Sequence, residues 1–156
     1  MPEPQVAAGA PARVLIVRAP YYRAVVDGMT AGAERLLARA KAEIATEDVA
    51  GAFELPQAIR IVLGATARGG PRWDGFIALG CVVRGDTDHY DHICRETHRG
   101  LMDVALTYGI ALGTGVLTVH DEAQAIARAG ADRFNKGAEA AAACLAQIAL
   151  MRKLAP

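Results

Sequence analysis

Residues 76–83, Phe-Ile-Ala-Leu-Gly-Cys-Val-Val, form an uninterrupted apolar run, and nothing else in the sequence limits the architecture so tightly. A strand with one wet face alternates apolar and polar residues. This one does not, which predicts burial on both faces. Double burial needs a layer of helices on each side of a sheet, and parallel strands joined by helical crossovers supply it. Three further segments fit the same sheet: Arg13 to Val17, apolar on both faces; Ile44 to Val49, weaker; and Ala111 to Thr118.

Helical periodicity fills the gaps. Residues 22–41 bring Val25, Val26, Met29, Ala33, Leu36, Leu37 and Ala40 onto one face. The turn Gly51-Ala52-Phe53-Glu54-Leu55-Pro56 leads into a helix whose inner face is Ile59, Val62, Leu63 and Ala67. Pro56 suits its first turn, where a missing N–H leaves no bond unmade. After the polar turn from Arg84 to Asp91, a helix runs to about Tyr108, with Ile93, Thr97, Leu101, Val104, Ala105 and Tyr108 facing inward. Asp121-Glu122-Ala123-Gln124 has the form of a capping box, opening a short helix that stops at Gly130. Asn135 can cap a final Ala-rich helix with the stripe Ala138, Ala141, Ala142, Leu145, Ile148 and Ala149. The order β-α-β-α-β-α-β-α-α predicts an α/β fold, a three-layer α/β/α sandwich on a four-stranded parallel sheet. Residues 13–156 are expected to form one domain behind a flexible tail, residues 1–12.

Composition narrows the function classes. Seventeen basic residues balance seventeen acidic ones, so the chain lacks the positive field that holds nucleic acid. The same neutrality does little to keep copies apart and permits self-association. Cys81, Cys94 and Cys144 show no C-x-x-C spacing, which argues against a disulfide framework and for a reducing, cytoplasmic setting. No stretch approaches the roughly 18 consecutive apolar residues of a membrane span. Residues 1–12 lack the basic and apolar regions of a signal peptide.

In open parallel sheets ligands bind beyond the C-terminal ends of the strands. Those ends are predicted near residues 18–22, 51–54, 81–89 and 114–118, and the unusual polar residues fall at the same places. In Gly85-Asp86-Thr87-Asp88-His89, Gly85 lets backbone amides approach a ligand, and the following helix presents free N–H groups suited to phosphate. Asp86 and Asp88 would point away from such an anion, while Thr87 could add a hydroxyl donor. His89 suits proton transfer near neutral pH; the other reading is a plain capped turn with a surface histidine. Glu54 either accepts hydroxyls of a polyol or complements a helix dipole. Arg128 either clamps phosphate or closes a helix C-terminus. Tyr21 and Tyr22 either stack on a planar ring or cover the core, and Lys136 is either a second cation or a surface residue. His89, His92 and His98 invite a metal reading, with His89 and His92 on one helical face and Asp88 or Asp91 adding oxygen, but no Cys pair or H-E-x-x-H pattern accompanies them, so no metal is expected.

Taken in order, Gly51 to Pro56, Gly80 to Asp91, Gly115 to Thr118, Gln124 to Gly130 and Asn135-Lys136-Gly137 resemble the lumazine synthase family of riboflavin biosynthesis. The resemblance implies a flavodoxin-like fold and a transferase that needs no metal or redox cofactor. It would condense 5-amino-6-(D-ribitylamino)uracil with 3,4-dihydroxy-2-butanone 4-phosphate, releasing phosphate and water and giving 6,7-dimethyl-8-ribityllumazine. It implies His89 as proton shuttle; Asp86, Thr87 and Arg128 at the phosphate; and Ala52, Phe53 and Glu54 around the uracil and its ribityl chain. Cys81, Val82 and Val83 would read the pyrimidine, and Tyr21 would stack on it. It further implies a homopentamer, or a multiple of one, with Thr114 and Arg128 serving a neighbour's pocket, and a functional link with riboflavin synthase. A non-catalytic flavin-binding or shell-forming relative is the alternative. The chain departs from the family pattern at Ala19-Pro20-Tyr21-Tyr22, where Arg-Phe-Asn is frequent. It also departs at Asp86, often Glu; at Thr114, often apolar or aromatic; and at Asp132, often Lys.

Overall fold

The computed structural model describes residues 9–155. Four parallel strands lie in the order β2-β1-β3-β4: β1 (Arg13–Arg18), β2 (Glu43–Asp48), β3 (Gly75–Val83) and β4 (Ala111–Val119). The helices are α1 (Arg23–Arg39), α2 (Leu55–Ala67), α3 (His89–Tyr108), α4 (Glu122–Ala127) and α5 (Lys136–Leu154), with a 3-10 turn at Ala52–Glu54. The expected α/β sheet with helices on both sides is present, in the order of a flavodoxin-like fold.

The apolar run of residues 76–83 belongs to β3, which lies between β1 and β4. Its alternate residues enter two cores. Ile77, Leu79 and Cys81 join Val14, Ile16 and Leu117 under α1 and α5. Phe76 and Ala78 join Leu15, Val17 and Val116 under Leu55, Ile59 and Leu101 of α2 and α3. Each fully buried Leu, Ile or Phe contributes roughly 1.5–3 kcal/mol, so both helical layers are held through the apolar residues of β1, β3 and β4. The edge strand β2 reads weakly because it is mostly wet: Glu43, Ile44, Thr46, Glu47 and Asp48 are exposed. Charges there discourage edge pairing.

The Ala-rich α5 packs closely because it has little side chain to keep it away. At Gly137 a Cβ would strike the Met29 carbonyl of α1, and at Gly113 of β4 one would strike the Ala140 carbonyl of α5. Asn135 caps α5 by accepting from the Ala138 N–H at 3.0 Å. Asp121 caps α4 through the Gln124 N–H at 2.9 Å, and the Gln124 side chain accepts in return from His120 N–H at 3.0 Å.

Three details differ from the periodicity. Tyr108, expected to face inward, is 45% exposed on the last turn of α3, with Arg60 over its ring at 4.9 Å. Ala67 is exposed at the end of α2. The α4 helix ends at Ala127, and a turn carries the chain to Gly130. Residues 1–8 of the expected tail lie outside the described residues. Of the rest, Ala10 O accepts from Arg152 at 2.8 Å, and Ala12 O accepts from Glu43 N–H at 2.8 Å. No helix among the described residues is long and apolar enough to cross a membrane.

Candidate active site

The strand register creates the site. β1 stops at Arg18, opposite Leu79, whereas β3 runs on to Val83, opposite Val119 of β4. Residues Gly80 to Val83 therefore have no strand on their β1 side, and a notch opens at the C-terminal edge of the sheet. The turn after β1 brings Tyr21 and Tyr22 to one wall and the turn after β2 brings Gly51 to Glu54 to another. The first turn of α3 supplies His89 and, one turn on along the same face, Ile93. Together with Cys81, Val82 and Val83 these residues line an open cavity of about 600 Å³.

Eight of the residues singled out in the sequence thus share one cavity: Tyr21, Ala52, Phe53, Glu54, Cys81, Val82, Val83 and His89. Its rim is aromatic and wet, with Tyr21 79% and Phe53 46% exposed. Tyr22 packs edge-on against Tyr21, with centroids 5.1 Å apart and planes at 75°. Burial raises its phenol above the ordinary value, with smaller contributions from Tyr21, Cys81 and Glu122, so it is a hydrogen-bond donor at neutral pH. Burial pushes the Cys81 thiol up to about 11, with a lesser push from the Glu122 carboxylate; the floor of the cavity is therefore uncharged. Glu54 is half-buried in the 3-10 turn.

The remaining candidates lie elsewhere. Asp86 and Thr87 occupy the exposed turn between β3 and α3, where the Thr87 hydroxyl oxygen accepts from His89 N–H at 3.4 Å. A Cβ at Gly85 would meet nothing within 4 Å, so packing within the chain does not demand glycine there. Thr114 and Arg128 line a second cavity of about 490 Å³ on the β4 side, with His98, His120, Gln124 and Lys136 among its walls. Arg128 Nη1 donates to the Gln124 carbonyl at 2.8 Å, which closes α4, and Lys136 pairs with Glu139 at 2.6 Å. The helix-closing reading of Arg128 is thus met, and the same residue lines the second cavity. Asp132 accepts from Phe134 N–H at 2.8 Å in the turn before α5.

Ile93 was not singled out as a cavity residue, nor were His98 and His120, whereas Tyr22 and Gly51 lie at strand ends already expected to hold a ligand. Tyr22 was readable as a second aromatic beside Tyr21. His98 was readable only within the metal alternative, because the packing of α3 against β4 is what brings it to that wall. Among the described residues no group of three or more His, Cys, Asp and Glu is placed to hold a metal ion. The first cavity accordingly offers an aromatic rim, an uncharged floor, the Glu54 carboxylate and the His89 imidazole; the second offers the Arg128 guanidinium, the Lys136 ammonium and the imidazoles of His98 and His120.

Residues 11–152 match the family of 6,7-dimethyl-8-ribityllumazine synthase. The chain is similar to the protein of that name from Paramagnetospirillum magneticum, 46% identical over 145 residues, 92% of this chain and 97% of the relative. The Methylobacterium radiotolerans protein is 44% identical over 97% of this chain and 89% of its own length. A relative from Rhizobium meliloti, 6,7-dimethyl-8-ribityllumazine synthase 1, is 43% identical over 92% of this chain and 94% of its own length.

Proposed function

The chain belongs to the 6,7-dimethyl-8-ribityllumazine synthase family, and from that premise we propose that it joins 5-amino-6-(D-ribitylamino)uracil to 3,4-dihydroxy-2-butanone 4-phosphate. The primary amine of the pyrimidine attacks the ketone and water leaves as the imine forms. A proton is lost from the carbon next to the imine and orthophosphate leaves from the terminal carbon. The enol becomes a ketone, the ribitylamino nitrogen closes the second ring on it, and a second water departs. Two C–N linkages form, one C–O bond to phosphate breaks, and no electrons are exchanged with a third reactant.

The observation that carries this reading is the cavity at the end of β3, in which His89 shares walls with Tyr21, Ala52, Phe53, Glu54, Cys81, Val82 and Val83. In our reading Tyr21 stacks on the heterocycle, the backbone of residues 81–83 meets its polar edge, and Glu54 takes ribityl hydroxyls. His89 moves protons between the amine, the carbon next to the imine and the leaving water. Arg128 grips the phosphate with Asp86 and Thr87 supplying turn amides, and Thr114 contributes to the same wall. Since Arg128 and Thr114 line a different cavity from His89, we assign them to the pocket of an adjacent copy in a homopentamer or a multiple of one. The three cysteines, free in the structure, fit a cytoplasmic enzyme, and its product is a substrate for riboflavin synthase.

The test is direct. Purified protein given both substrates is expected to release orthophosphate and generate the fluorescent lumazine together, in equal amounts and well above the uncatalysed rate. Binding of the pyrimidine with no acceleration would leave the non-catalytic alternative standing instead.

A further inference from the structure

Arg18, the last residue of β1, has a side chain only 15% exposed and is held on every nitrogen. Nε and Nη2 donate to the two carboxylate oxygens of Asp48, at the end of β2, at 2.7 and 3.1 Å. Nη1 donates to Asp27 of α1 at 3.1 Å and to the hydroxyl oxygen of Thr30 at 3.3 Å. Thr30 is itself buried and donates onward to the Val26 carbonyl at 2.7 Å. Below the guanidinium, the Arg18 carbonyl accepts from Val49 N–H at 2.7 Å, and Ala19 N–H donates to Leu79 O of β3 at 2.9 Å. A fork of two parallel bonds fixes angle as well as distance, which a single lysine bond cannot do. The guanidinium holds the Asp48 carboxyl below the ordinary carboxylate range, chiefly through that hydrogen bond, so the pair stays ionised at any pH at which the protein would work.

The position of this joint gives it a consequence. Three residues beyond Arg18 stands Tyr21; three beyond Asp48 stands Gly51, followed by Ala52, Phe53 and Glu54. Both turns line the 600 Å³ cavity. β2 is an exposed edge strand; Val49, Ala52 and Leu55 anchor the segment after it to the core, and the Arg18 fork adds the polar tie that sets its angle to β1. We propose that Arg18 is the positioning residue of the pyrimidine half of the site, setting the gap between the Tyr21–Tyr22 wall and the Ala52–Glu54 wall into which the heterocycle and its ribityl chain fit. The inference rests on the reading of that cavity as the pyrimidine pocket. It concerns a residue that touches no substrate and acts only through the two turns it joins.

Steady-state kinetics of Arg18→Met and Arg18→Lys test it. Misplacing a binding wall by even an ångström weakens productive binding strongly, so Arg18→Met is expected to raise the KM for the pyrimidine roughly ten-fold. Its KM for the butanone phosphate should stay at the wild-type value, and Arg18→Lys should fall between the two. Adding Asp48→Asn to Arg18→Met should cost little more, because residues acting through one joint are not additive. If Arg18→Met folds poorly, Asp48→Asn alone frees only the β2 side and should still raise the pyrimidine KM several-fold. Glu54→Gln separates the two layers of the argument. If it leaves the pyrimidine KM unchanged, the reading of the cavity fails; if it raises that KM while Arg18→Met and Asp48→Asn do not, positioning by Arg18 is overturned. A lowered melting temperature with both KM values unchanged would also overturn it, leaving Arg18 a structural joint only.

Discussion

Two thiols in the same core illustrate what burial does to single residues. Burial pushes Cys144 up to about 12 and Cys81 up to about 11, against an ordinary value of 9.0. In the unfolded chain both would ionise near that ordinary value, while in the fold they hold their protons. The stability linked to them is therefore complete below about pH 9 and is lost as pH rises from there through 11 and 12. Urea unfolding at stepped alkaline pH should show stability falling over that window, less steeply in a Cys144→Ala variant. At pH 8 iodoacetamide should leave Cys144 unmodified in folded protein and alkylate it in urea; rapid alkylation of the folded chain would contradict its burial. Neither thiol is a nucleophile at neutral pH, in keeping with the proposal that gives the proton transfers to His89.

Among the elements, α5 shows how a helix with a weak apolar stripe is held. Surface pairs such as Arg99 with Glu96 and Asp103 on α3 are screened by solvent and contribute little. At the start of α5, by contrast, the buried Asn135 amide donates to the carbonyls of Gly28 at 3.0 Å, Ala129 at 3.2 Å and Gly130 at 2.8 Å. Beside it Lys136 N–H donates to Arg128 O at 2.8 Å, so the α4–α5 turn and its two cations are built onto α1. The approach leaves no room at Gly137. Gly137→Ala is expected to destabilise the fold by about 2 kcal/mol or more through forced separation of α1 and α5. Chemical denaturation measures this, and an unchanged midpoint would mean that the helices can part at no cost. Periodicity located α5 but missed its buried Ala140 and Cys144, because on an Ala-rich helix many faces look equally apolar.

At the scale of the whole molecule, the distribution of groups over two cavities matters most. His89 lines one, while Arg128 and Thr114 line the other. Ile61, Met102, Leu106 and Phe134 remain more than half exposed, apolar surface that a chain with no net charge is free to cover with copies of itself. Under the proposed shared site, Arg128→Ala raises the KM for the butanone phosphate, and His89→Ala slows turnover without abolishing it, since proximity alone still helps the condensation. Unfolding and refolding the two variants together should then yield mixed assemblies more active than either parent, because some pockets regain both wild-type residues. Activity no higher than the average of the parents would place both residues' work within one chain.

Much of this was legible in order along the chain. The apolar run at 76–83, the strand–helix alternation and the capping residues Asp121 and Asn135 identify the sheet and its helices, because strand and helix periods and caps are local properties. The C-terminal ends of the strands were likewise legible as the place for a site, and eight of the candidate residues meet there. Distances between segments far apart in sequence were not legible. Sequence could not reveal that β3 outruns β1 beyond Leu79, that Arg18 grasps Asp48 and Asp27, or that Arg128 faces a cavity other than that of His89. Those facts depend on register and on how two helical layers close over one sheet, and only the packing of the whole chain decides them.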